Sequence, residues 1–221
     1  MALAFAVPAG AEQNPAKIAI TPQSNRAAIM FRSPVLPVPA SLRSAYHLDL
    51  QIYDPVNQRM EGGYPGGAVS IGAIPRLMVG GYVFMDLKPG TYAITDFSRQ
   101  DWWILCFQDA SLQFTVAAGE IVYLGAFNAA KALVEVIGKA QSSGRISTRG
   151  APVDFFDNVA PPEFAPIDAA DLAAAAASAK LSMPLTTVAP RAVVFAPARF
   201  GTGSTLFGGR HCGGYFPVKA K

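Results

Sequence analysis

Two adjacent tryptophans, Trp102 and Trp103, are the residues of this sequence best suited to hold a ligand. If both belong to one strand, their side chains point to opposite faces, and one indole can stack on a sugar or on a partner surface. The alternative is that Trp102 covers an edge of the protein's own core. We favour the core edge and keep glycan or peptidoglycan binding as a second hypothesis.

The segment after Asp171 contains cations and aromatic residues but no carboxylate. Such a segment can dock on an anionic surface or on a partner protein, and we take Arg199 and Arg210 as further candidate ligand-binding residues. The preferred alternative is a tail that folds back over its own sheet. The residues concerned are Lys180, Arg191, Phe195, Arg199, Phe200, Phe207, Arg210, Tyr215, Phe216, Lys219 and Lys221.

Residues 68–72 differ by one residue from the glycine-x-serine-x-glycine elbow of serine hydrolases. That elbow requires a strand, a sharp turn and then a helix behind the serine, whereas Pro75 and a glycine pair follow Ser70 here. Ser70 is therefore predicted on the polar face of a strand. A hydrolase is the least favoured hypothesis, and no catalytic residue is assigned.

Three carboxylates, Asp96, Asp101 and Asp109, surround the apolar run 102–107 and could share a loop end, as acid–base chemistry requires. Solvated loop ends are the preferred interpretation. His211 and Cys212 are sequence neighbours that cannot easily chelate one ion together, and no lysine in P-loop spacing follows the glycines at 201–204. The sequence therefore predicts neither a metal nor a cofactor.

Cys106 and Cys212 are the two cysteines of the chain. In an exported protein they could pair and close a loop of about 105 residues, which the chain-entropy model credits with about 4 to 5 kcal/mol. Because Cys106 lies in an apolar run, a small buried thiol is the preferred alternative. Neither cysteine is placed for lipid attachment near the N-terminus.

The composition is that of a folded, turn-rich protein: 51% of residues are hydrophobic, only 15% are charged, and there are 20 glycines and 18 prolines. A net charge of +3 is too small to predict nucleic-acid binding. No apolar run approaches the length of a transmembrane helix. Residues 1–11 resemble the tail of a secretory signal ending in a small-x-small site, which predicts a periplasmic or extracellular protein; an alanine-rich disordered N-terminus is the alternative.

Alternation of apolar and polar residues predicts strands from residue 17 to residue 137. A Pro-Gly turn at 88–91 and a glycine turn at 117–120 are each expected to close a hairpin, and two successive hairpins indicate an antiparallel β-sandwich or a small barrel, of which we prefer the sandwich. The predicted strands are 17–20, 27–32, 46–53, 68–74, 82–87, 92–97, 103–107, 112–116, 121–126 and 133–137.

The segments 84–94 and 114–125 carry a leucine, proline-glycine, tyrosine motif and a glycine-tyrosine motif. They resemble the hairpins of small transthyretin-like bacterial envelope domains, which include carboxypeptidase-regulatory-like modules. The resemblance implies a transthyretin-like sandwich. It carries over no catalytic residue, because its motifs specify turn geometry.

The domain prediction is a sandwich over residues 12–140 that folds alone, followed by an irregular C-terminal extension over residues 141–221. Within the extension, Asp168 is expected to cap an alanine-rich helix over residues 168–181. The predicted function is a non-enzymatic, exported structural or binding module of the bacterial cell envelope. Its partner would be an envelope protein or a glycan, and the sequence does not specify an oligomeric state.

Overall fold

The computed structural model describes residues 14–34, 46–61, 68–73, 78–99, 103–144, 154–157, 159–204 and 210–214. The fold of these residues is mainly β, as the alternating pattern predicts. The strands are β1 (Ala27–Arg32), β2 (Tyr46–Asp54), β3 (Arg59–Met60), β4 (Ala68–Ala73), β5 (Tyr82–Leu87), β6 (Gly90–Arg99), β7 (Trp103–Cys106), β8 (Ser111–Val116), β9 (Ile121–Ala126), β10 (Asp154–Phe156), β11 (Pro190–Ala192), β12 (Ala196–Ala198), β13 (Gly201–Ser204) and β14 (Arg210–Gly214); the helices are α1 (Ala129–Ser142) and α2 (Ala169–Ser182).

Two sheets share one apolar core. The smaller sheet has the order β11-β9-β1-β5, and the larger has the order β10-β7-β6-β2-β3, with β4 beside β2, β8 beside β6 and β12 beside β8. The pairs β1–β9, β9–β11 and β7–β10 are parallel, so the antiparallel prediction holds for most pairs but not for these. Parallel neighbours cannot be joined by a tight turn, and each of these pairs is connected through other elements.

Alternation along β2 shows how the core forms. Tyr46, Leu48 and Leu50 are buried in the core shared by the two sheets, while His47 and Asp49 lie on the opposite face of the strand. We call that opposite face of β2 and its neighbours the outer face of the larger sheet.

The two predicted hairpin turns join different sheets. β5 pairs with β1 in the smaller sheet, whereas β6 pairs with β2, β7 and β8 in the larger one. The turn at 117–120 likewise leads from β8 in the larger sheet to β9 in the smaller. The hairpin prediction is therefore wrong at both places, because turn residues specify where the chain reverses but not which strand its successor pairs with.

Residues 133–137 lie in a helix, and the strand predicted there is wrong. Buried residues of α1 recur at the three- and four-residue spacing of one helical face: Ala129, Ala132, Leu133, Val136 and Ala140. The Asn128 side chain caps the helix by accepting a hydrogen bond from the backbone N–H of Lys131, at 3.2 Å. The strand predicted at 17–20 is also wrong, since a 3-10 turn over Pro15–Lys17 occupies its start and residues 18–20 pair with no strand.

The alanine-rich helix forms as predicted. Asp168 is the N-cap of α2, and its carboxylate accepts a hydrogen bond from the backbone N–H of Asp171 at 2.7 Å. Ala175 and Ala179 pack against the outward side of the smaller sheet, where they meet Met30 and Tyr123. Small side chains let the helix lie close to that sheet.

The C-terminal extension contributes strands to both sheets. β11 extends the smaller sheet beside β9, and β12 extends the larger sheet beside β8. The Phe195 ring lies 6.1 Å from that of Phe114 and 5.2 Å from that of Phe164, measured between centroids. The packed fold thus continues past residue 140, and the described part of the extension lies against its own sheets.

Candidate functional site

The Trp103 side chain contacts other residues of the protein, and Trp102 lies outside the described residues. The Trp103 indole packs against the core, and the guanidinium carbon of Arg99 lies 5.8 Å from its ring centroid. Burial lowers the pKa of Arg99 from its ordinary value. Stacking on an external sugar thus remains a prediction for Trp102.

Arg199 does not share a site with Trp103. It is exposed and follows β12, and its backbone carbonyl accepts a hydrogen bond from the Tyr53 hydroxyl at 2.8 Å. The next residue, Phe200, donates its N–H to the carbonyl of Gln108, beyond the end of β7, whereas Trp103 begins that strand. Arg210 is the first residue of β14, and its side chain lies outside the described part of the chain.

Cys106 and Cys212 are joined as a disulfide, with their Cα atoms 5.6 Å apart. The disulfide is one of the two alternatives predicted from the sequence. The preferred alternative, a free buried thiol at Cys106, is wrong, because Cys106 is bonded to a cysteine on β14. Strands β13 and β14 form a hairpin that we call the C-terminal hairpin. The bond fixes this hairpin against the outer face of the larger sheet.

Beside the disulfide, the structure brings together two carboxyl groups that we call the carboxyl pair, Asp49 and Asp96. Asp96 is opposite Cys106 on one side and opposite Asp49 on the other. The register of β2 and β6 shifts at this point, so Thr95 and Asp96 together oppose Asp49. The Thr95 hydroxyl donates a hydrogen bond to Oδ2 of Asp96 at 2.9 Å.

Burial and proximity change the acidity of this pair. Asp96 is only 6% exposed. Burial chiefly, and then the neighbouring charge of Asp49, raise the pKa of Asp96 well above its ordinary value of 3.8. A side-chain hydrogen bond between Asp96 and Asp49 also raises the pKa of Asp96, because it favours the protonated form of that carboxyl.

We expect Asp96→Asn to stabilise the protein at neutral pH. A raised pKa means that Asp96 keeps its proton in the folded chain at pH values where the unfolded chain has released it. The stability that the wild-type chain gains from this protonated carboxyl is complete below about pH 4, and it is lost as the pH rises through the folded-state pKa. The neutral amide has no such penalty and can still accept from Thr95. Urea unfolding at pH 4, 6 and 8 should therefore show an advantage of the variant that grows with pH.

The matched control is Asp109→Asn, which makes the same chemical change at an exposed carboxylate near the end of β7. It should show no comparable growth of the difference with pH. An advantage of Asp96→Asn that is constant or that shrinks from pH 4 to pH 8 would contradict a raised pKa of Asp96 in the folded chain.

The remaining predicted motifs lie as follows. Ser70 is the third residue of β4, opposite Asp49, and so lies within a strand rather than at a strand-to-helix turn. The glycines at 201–204 form β13. Asp101 lies outside the described residues. Among the residues that the structure describes, no group of three or more His, Cys, Asp or Glu side chains is placed to hold a metal ion, and no helix is long and apolar enough to cross a membrane.

An open groove of about 540 Å³ runs between α2 and residues 186–189. Its lining is small and mostly apolar, with Ala176, Ala177 and Val188 among the lining residues and Lys180 at the side. Leu181 and Leu185, beyond the end of this groove, are 82% and 58% exposed.

The chain matches no family model, no curated protein and no solved structure.

Sequence reasoning missed the carboxyl pair. It grouped Asp96 with Asp101 and Asp109, which are near in sequence, whereas the structure pairs it with Asp49 from a distant strand. One signal was available: Asp49 alternates with Leu48 and Leu50 in a strand, which places its carboxylate on the face opposite the core. The strand partner and the bulge could not be read from the sequence.

Proposed function

We propose that this chain is a non-enzymatic, exported structural or binding module of the bacterial cell envelope, built as a two-sheet β-sandwich. The observation that carries the proposal is the bond between Cys106 and Cys212. Structural disulfides form and persist in oxidising compartments such as the periplasm and the extracellular space, and they are rare in the cytosol. An apolar stretch at residues 1–11 that resembles a signal sequence supports the same compartment.

The arrangement of the C-terminal extension supports a structural rather than a catalytic role. The extension adds strands to both sheets, and the disulfide holds the C-terminal hairpin beside Asp96, which is opposite Cys106. The resemblance to transthyretin-like domains supports the sandwich through two motifs alone. In this chain both motifs lie where the chain passes from one sheet to the other.

The partner that we propose is an envelope protein or a glycan. The groove beside α2 and the exposed Leu181 and Leu185 form an apolar surface of the kind that protein partners cover. A protein partner is therefore favoured over a glycan.

The test is protease accessibility in the cells that naturally produce the chain. Permeabilising the outer membrane should make the protein degradable by added protease, or it should already be found outside the cells, while a cytosolic marker stays protected. Protection equal to that of the cytosolic marker, lost only when the inner membrane is broken, would refute export.

A further inference from the structure

The C-terminal hairpin is attached to the rest of the fold in an unusual way. β13 and β14 pair with each other and form a separate two-stranded sheet. Gly213 of the hairpin lies close to the larger sheet: a Cβ at this position would meet the Gln51 side-chain oxygen first, and would lie 3.1 Å from Met60 and 3.3 Å from Thr95. A side chain on residue 213 would therefore lift the hairpin from the sheet.

The surface beneath the hairpin is largely polar. Gln51 and Thr95, two of the three residues nearest Gly213, are 2% and 3% exposed. Covering such groups gives little hydrophobic stabilisation and removes their contact with water. An isolated two-stranded hairpin is itself marginally stable in water. The covalent bond is consequently the main attachment that holds the described part of the hairpin in place.

The chain is firmly held just before the hairpin begins. Phe200 is 2% exposed and donates its N–H to the Gln108 carbonyl at 3.1 Å, and the Arg199 carbonyl accepts from Tyr53. Gly201 and Gly203 follow, and glycine allows wide backbone rotation. A hinge is therefore placed at residue 201, where the anchored chain ends.

We propose that the Cys106–Cys212 bond is a redox latch: its reduction by a dithiol releases the C-terminal hairpin and uncovers Gln51 and Thr95, while the two sheets stay folded. One thiolate of the dithiol attacks a sulfur of the bond, which forms a mixed disulfide and releases the other cysteine as a thiolate; the second thiolate of the dithiol then displaces the cysteine sulfur held in the mixed disulfide. The chain gains two thiols as the dithiol becomes a disulfide. This inference concerns the mechanics of the bond and holds whether or not the chain is exported.

The experiment compares hydrogen exchange in the full chain before and after reduction with dithiothreitol. Exchange in peptides covering residues 201–204 and 210–214 should rise by about tenfold or more, because a two-stranded hairpin is only marginally stable in water once its attachment is lost. Peptides covering residues 46–53 and 121–126 should keep their protection. Unchanged exchange at 201–204 and 210–214 would show that other contacts hold the hairpin, and loss of protection throughout both sheets would show that the bond stabilises the whole fold; either result overturns the latch.

A variant separates bond loss from the reagent. Cys212→Ser changes the hairpin strand and leaves β7 intact, so without reductant it should match the reduced wild type, and dithiothreitol should change nothing further. Thr202→Ser is the matched control, because Thr202 is opposite Cys212 in the hairpin and its substitution keeps the bond. A Cys212→Ser chain whose hairpin exchanges as slowly as the oxidised wild type, or whose sheets have unfolded, would refute the proposal.

Discussion

Replacing Phe127 by alanine is expected to lower the free energy of unfolding by about 3 to 5 kcal/mol. The ring is 1% exposed and lies among four other aromatic rings, with centroid distances of 5.2 Å to Phe164, 5.7 Å to Tyr46, 6.0 Å to Phe97 and 6.4 Å to Phe31. These neighbours come from both sheets and from the C-terminal extension. Removing the ring leaves a cavity where three parts of the fold meet.

Urea unfolding at neutral pH measures this loss. The matched control is Val134→Ala on α1, where the side chain is 71% exposed and the expected change is within about 0.5 kcal/mol. A loss below about 1 kcal/mol for Phe127→Ala would contradict the shared core, since it would mean that the two sheets and the extension do not pack on this ring.

The second large effect is expected at Gly119, in the turn where the chain passes from the larger sheet to the smaller. Gly119 has a φ of +75°, and a Cβ there would lie 2.9 Å from the carbonyl oxygens of both Thr21 and Pro22. Its own N–H donates to the carbonyl of Arg26 at 2.8 Å, which fixes the corner against the N-terminal segment. We expect Gly119→Ala to cost about 2 to 4 kcal/mol, combining the left-handed backbone with the forced displacement of two carbonyl groups.

Gly144→Ala measures the free-energy cost of the left-handed backbone conformation alone. Gly144 also has a positive φ, +65°, but nothing lies within 4 Å of a Cβ placed on it. That variant should cost about 1 kcal/mol, the penalty for the left-handed conformation alone. Equal losses for the two variants in urea unfolding would show that the corner is not closely packed against Thr21 and Pro22.

The strands could be predicted from the sequence because alternation is a local property. β1, β5 and β9 have the predicted bounds, and β2 differs from its prediction only by including Asp54. Pairing is not local, because a turn motif does not specify the sheet that the next strand joins. For this reason the two motifs that suggested hairpins instead connect the larger sheet to the smaller.

Helix α1 was missed because its apolar residues satisfy two patterns. Leu133 and Ile137 fit a strand when only five residues are considered, but the wider spacing from Ala129 to Ala140 is helical. The capping side chain of Asn128 was the available local signal. For α2 the corresponding signal, Asp168, was recognised and the helix was predicted.

The candidate site could be predicted only in part. The Cys106–Cys212 disulfide was one of two alternatives predicted from the sequence, because the sequence holds no other cysteines. The carboxyl pair depends on a register shift between two strands that are about 45 residues apart in the chain. Local sequence patterns do not encode such a shift. Trp103 and Arg199 were chosen for their residue types; in the fold the Trp103 ring contacts Arg99, whereas Arg199 is exposed and only its backbone carbonyl is bonded, to Tyr53.

The most direct test is to count free thiols in the full chain taken from its native cells, by alkylating under denaturing conditions at lysis and then measuring the intact mass. A disulfide that fastens the C-terminal hairpin to the larger sheet in an oxidising compartment predicts no alkylated cysteine without reductant and two after reduction. Two alkylated cysteines in the unreduced sample would contradict the account.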